Sequence, residues 1–129
     1  MSNIVLQSRS NTAALRVRYL LELLKAKELD DERWRMPRGW IVYGRLEDFV
    51  RSVDCVKQLE GWIAAEETRK FGYSEFFLEV SFHPPHWDAV VHDAQDREIA
   101  CSNSLTESET LARIEALINY VKATGLAKR

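Results

Sequence analysis

Residues 76–121, FFLEVSFHPPHWDAVVHDAQDREIACSNSLTESETLARIEALINYV, decide the fold. In a strand, side chains alternate between faces. Phe76, Leu78, Val80 and Phe82 therefore share one face, and Phe77, Glu79, Ser81 and His83 the other. After Pro84-Pro85, Trp87, Ala89 and Val91 oppose Asp88, Val90 and His92. Setting Phe82 beside Trp87 also sets Val80 beside Ala89 and Leu78 beside Val91. All three pairs are apolar and on one face, as a half-buried antiparallel pair requires. Tight hairpin turns use positive φ, which proline does not adopt, so a wider loop is expected over His83–His86. Ala94-Gln95-Asp96 has the composition of a short turn. The strand after it, about 97–101, places Ile99 and Cys101 to meet Val91 and Ala89.

A helix of about 106–124 closes the unit. Ser104 or Thr106 can cap it, with Glu107 or Glu109 three residues on as a capping box. Leu111, Ile114, Leu117, Ile118 and Val121 form its apolar stripe, and Gly125 stands where a C-terminal cap belongs.

Working back toward the start, residues 1–10 read as irregular, with Ile4-Val5-Leu6 as a candidate edge strand. A helix of about 11–28 buries Ala13, Val17, Leu20, Leu21 and Leu24. Leu15 and Leu23 widen its apolar surface, to be covered by other helices of the same chain, the reading preferred, or by a second copy or partner. Asp30–Gly39 reads as a charged connection, broken by Pro37 and Gly39. Residues 40–43 are aromatic and β-branched and read as a strand. A helical region of about 46–70 buries Phe49, Val53, Val56, Leu59 and Ile63, with a break possible near Ser52 and a fresh cap at Asp54. Gly61 inside it weakens the helix by about 1 kcal/mol relative to alanine. The expected fold is α+β: an antiparallel sheet of three to four strands (about 40–43, 75–83, 87–92, 97–101), with helices mainly on one face, in a single domain over 1–129.

Composition narrows the function. With 46% hydrophobic and 29% charged residues, 129 residues suit one core. A net charge of −2 disfavours strong nonspecific nucleic-acid binding. Cys55 and Cys101 fall in apolar patterns and read as reduced core thiols of a cytoplasmic protein. No signal peptide or membrane span is read.

Three clusters carry candidate chemistry. His83, His86 and His92 lie near Asp88 and Asp93, but His92 is roughly 20 Å from His86 along an extended strand at ~3.3 Å per residue. Zinc needs three or four ligands converging at about 2.0–2.3 Å, so no metal site is assigned. Ser81, His83 and Asp88 share a patch, yet neither an oxyanion pocket nor a sharp turn to present a nucleophile is legible. No catalytic or cofactor-binding residue is assigned. Arg33, Arg35 and Arg38 interleave with Trp34 and Trp40, a combination used on phosphates and bases. The adjacent Asp30-Asp31-Glu32 neutralises them, and arginine stems covering a tryptophan explain the pattern as well.

Over roughly 46–123, the order helix, three antiparallel strands, helix resembles the double-stranded-RNA-binding domain. That family has a lysine cluster at the start of its last helix. Here Thr106-Glu107-Ser108-Glu109 stands in its place and repels phosphate, so the resemblance implies topology and no function. The polar sheet face remains: Phe77, Glu79, Ser81, His83, Asp88 and His92, with His86 beside them. A large aromatic ringed by polar groups reads as a contact surface for another protein or a second copy. The expectation is a small interaction module of inhibitor, immunity or regulatory type. The alternatives are an enzyme or metal protein using His83–Asp93 and, more weakly, nucleic-acid contact through Arg33, Arg35 and Arg38.

Overall fold

The computed structural model describes residues 2–72, 75–103 and 105–126, with side chains from Thr12 onward. In chain order the elements are α1 (Ser2–Leu23), β1 (Lys27–Asp30), β2 (Arg33–Arg35), β3 (Ile41–Tyr43), α2 (Leu46–Arg51), α3 (Val53–Phe71), β4 (Phe77–His83), β5 (His86–His92), β6 (Glu98–Cys101) and α4 (Glu109–Thr124). They build an α+β fold with two three-stranded antiparallel sheets, β1-β2-β3 and β4-β5-β6.

The main sheet is β4-β5-β6. Its register pairs Leu78 with Val91, Val80 with Ala89 and Phe82 with Trp87, as the apolar pattern requires. Two details differ from the sequence reading. The Pro84–Pro85 peptide is cis, so the hairpin closes in two residues with His83 opposite His86 and no wider loop forms; a cis proline turns the chain without positive φ. Between β5 and β6 the register shifts: Val90 pairs with Cys101 and Val91 with Ala100, then His92 with Glu98. Ile99 is the extra residue of this bulge, which moves every expected partner by one. Cys101 is exposed and Cys55 half-buried, so neither is a core thiol.

α4 covers one face of this sheet and packs on its other side against α1, α2 and α3. That position explains its burial: Ile114, Ala116, Leu117, Ile118, Tyr120 and Val121 all lie in the core. Gly125 occupies the C-terminal cap, as spaced. The N-cap is Ser108, whose Oγ accepts from the Leu111 amide. Thr106 is drawn away into an antiparallel bridge with Trp87, and Ser104 lies outside the described residues. The second helical region is two helices. Ser52 is extended and its Oγ accepts from the Cys55 amide, so Ser52 rather than Asp54 caps α3.

The N-terminal third departs most from expectation. Residues 4–6 are helical, part of α1. α1 stops at Leu23, with the amide of Ala26 bonded to the Leu21 carbonyl and that of Lys25 to Glu22. This is a Schellman motif with Lys25, φ 62°, where glycine usually stands. The freed chain forms β1 and β2. Strand 41–43 pairs with β2 (Arg33 with Tyr43, Trp34 with Val42, Arg35 with Ile41), so it joins a second small sheet and not the main one. Residues 33–36 alternate exposed and buried, with Trp34 and Met36 in the core. Leu23 packs against the core as expected, whereas Leu15 is 63% exposed.

A buried carboxylate links α3 to α4. Glu67 is 2% exposed and accepts a hydrogen bond from the Tyr120 hydroxyl. Burial pushes its carboxyl above the ordinary 4.5, against the lowering effect of the Tyr120 bond. A carboxyl raised on folding loses stability as pH climbs from its ordinary value through the raised one. Glu67→Gln keeps an acceptor for Tyr120. Its urea midpoint relative to wild type is expected to improve as pH rises above the ordinary carboxyl value; a pH-independent difference would refute the assignment.

Candidate interaction surface

With α4 on one face of the main sheet, no helix packs on the opposite face among the described residues. Strand alternation places on it Phe77, Glu79, Ser81 and His83 from β4, and their cross-strand partners His92, Val90, Asp88 and His86 from β5. All seven residues singled out from the sequence are thus brought together.

The end of this face away from the hairpin turn is aromatic. Phe77, 48% exposed, stacks on the His92 ring with centroids 5.0 Å apart and planes 18° apart. Beneath Phe77 the His92 side chain is only 15% exposed, with Nε2 3.6 Å from Glu79 Oε1 and Nδ1 3.6 Å from Asp96 Oδ1. Neither nitrogen makes a hydrogen bond among the described residues. Toward the hairpin end, His83 Nε2 lies 3.4 Å from Asp88 Oδ1. Asp93 orders the β5–β6 turn: its Oδ1 accepts from the amides of Gln95 and Arg97, and these bonds with the Arg97 guanidinium hold its carboxyl below the usual range.

The same geometry bears on the chemical alternatives. His83 and His86 face each other across the hairpin, and His92 sits at its far end. Among the described residues, no group of three or more histidine, cysteine or carboxylate side chains is placed to hold a metal ion. Ser81 is the cross-strand partner of Asp88. No hydrogen bond links Ser81 to Asp88 or His83 among the described residues.

The three arginines do not act as one group. Arg33 bonds to Asp30 at 2.9 Å, and Arg38 lies 3.8 Å from Glu66. Glu32, expected to neutralise them, binds Arg45 at 2.8 Å instead. Arg35 is exposed on β2. The guanidinium that covers Trp34 comes from α1: Arg18 lies 5.6 Å from the ring centroid.

Sequence reasoning missed a second feature. A cleft of about 360 Å³ opens between β3 and α3, lined by Trp40, Ile41, Val42, Tyr43, Gln58, Gly61, Trp62 and Ala65. Gly61, read only as a weak point in a helix, leaves room there, since no atom lies within 4 Å of where its Cβ would be. Trp40 and Tyr43 stand at 53% and 60% exposure. The signal available was the Trp40–Tyr43 aromatic run, but its facing helix residues lie some twenty positions away.

Among the described residues, no helix is long and apolar enough to cross a membrane. Comparison with family models, with curated proteins and with solved structures finds no match.

Proposed function

We propose that the chain is a small cytoplasmic protein-interaction module, of the inhibitor, immunity or regulatory kind, whose contact surface is the open face of the β4-β5-β6 sheet. The observation that carries this reading is the half-exposed Phe77 ring lying flat on a shielded His92 amid polar neighbours. An aromatic side chain supported on one face and wet on the other gives large contact area with little entropy left to lose, which is what interface anchors provide. Glu79, Asp88 and the histidines supply the polar rim that surrounds such anchors.

The test is affinity capture with purified wild type, Phe77→Ser and, as a control elsewhere on the surface, Tyr43→Ser. A protein retained by wild type and by Tyr43→Ser, and reduced about tenfold or more by Phe77→Ser, is the expected result, equivalent to about 1.4 kcal/mol of lost binding. Identical capture by all three baits would reject the surface.

A further inference from the structure

The proposed interaction surface ends at an open strand, and its chemistry identifies one occupant. β4 is an edge of the main sheet. The amide and carbonyl of Trp87 both bond to Thr106, and the Ala89 carbonyl accepts from Ser102, so odd-numbered β5 residues turn their backbone toward the β6 side. The even-numbered residues, 86 to 92, therefore pair with His83, Ser81, Glu79 and Phe77 of β4. The backbone groups of Leu78, Val80 and Phe82 point the other way, and among the described residues no backbone group meets them.

Natural edges are usually blocked by lysine, proline, a bulge or a covering segment. β4 is seven residues long, contains neither lysine nor proline, and pairs with β5 without a shift in register. Its inward side chains are also unfinished: Leu78 and Val80 are only partly buried and Phe82 is 53% exposed.

We propose that β4 pairs antiparallel with β4 of a second copy, joining the two sheets into one of six strands. This rests on the reading of β4–β5 as an interaction surface and names its partner. With the two-fold axis at Ser81, the outward groups of Val80 and Phe82 in one copy meet those of Phe82 and Val80 in the other. On the helix side, Val80 then covers Phe82. On the open face, Glu79 stands opposite His83 of the other copy, and symmetry repeats the pair. The strand is thus complementary to itself in apolar pattern and in setting a carboxylate, an acceptor, opposite an imidazole that can donate to it.

Light scattering on the purified protein is expected to give twice the 15.0 kDa chain mass. Ser81→Lys places two ammonium groups face to face on the axis and is expected to give a folded monomer, with circular dichroism confirming the fold. Glu79→Lys should raise the dimer dissociation constant about tenfold, and Glu79→Lys with His83→Glu should restore it. A wild-type monomer, or a dimer that Ser81→Lys leaves intact, overturns the proposal. A double variant no tighter than Glu79→Lys overturns the register. A monomer that still captures another protein through Phe77 removes the self-pairing and leaves the interaction reading standing.

Discussion

Gly44→Ala is expected to destabilise the protein by about 2–4 kcal/mol, combining backbone strain with overpacking. Gly44 has φ 141°, where side chains other than glycine's are strained. A Cβ there would also lie 2.9 Å from Phe49 Cε2 and 3.1 Å from Cζ. Phe49 is 0% exposed, so its ring has nowhere to retreat. Gly39→Ala is the control: φ is 95° there too, but nothing lies within 4 Å of the added carbon. Its loss should be about 1 kcal/mol, backbone strain alone. Urea denaturation of both variants separates the terms. Equal losses would mean that the contact between Gly44 and Phe49 does not limit the packing.

The second large effect lies at Arg113. From α4 its Nη1 bonds both oxygens of Glu60 on α3, at 3.0 and 2.9 Å, and its Nε bonds Glu109 at 3.1 Å. The Arg113 and Glu60 side chains are 12% and 17% exposed. Burial raises the Glu60 carboxyl, opposed by the guanidinium. Arg113→Met leaves two carboxylates without the charge they share, and the expected loss at neutral pH is about 3 kcal/mol. Without its partner, Glu60 should titrate higher still, so the loss should shrink as pH falls through that raised value. Glu60→Gln in the Arg113→Met background should recover most of it. A double variant as unstable as Arg113→Met would place the cost in lost packing of the arginine stem instead.

Where burial imposes a period, the sequence was readable. Leu78, Val80 and Phe82 alternate against Trp87, Ala89 and Val91, and one slip would turn them all outward, so the register follows from pattern alone. The stripe Ala13, Val17, Leu20 and Leu21 of α1, continued by Leu24 just past its end, is buried as its helical spacing requires. Features set by a single residue's backbone were opaque. Lys25 takes a conformation usually left to glycine, which hid the end of α1 and with it β1 and β2. Arg33-Trp34-Arg35-Met36 is a strand alternation, but its charges drew attention to composition instead of period. Ile99 as a bulge residue has no local signature. The open sheet face was legible because both of its strands were; the β3–α3 cleft depends on a tertiary approach that periodicity does not report.

Among the described elements, the central helix comes after every one it packs against: α4 sits between the main sheet and the other three helices. Until α4 docks, the β4–β5 hairpin that it covers leaves Leu78, Val80, Ala89 and Val91 facing water together. Any intermediate in which α4 has not yet docked therefore presents an apolar ribbon to its surroundings, and closure of the core waits on the arrival of that one helix.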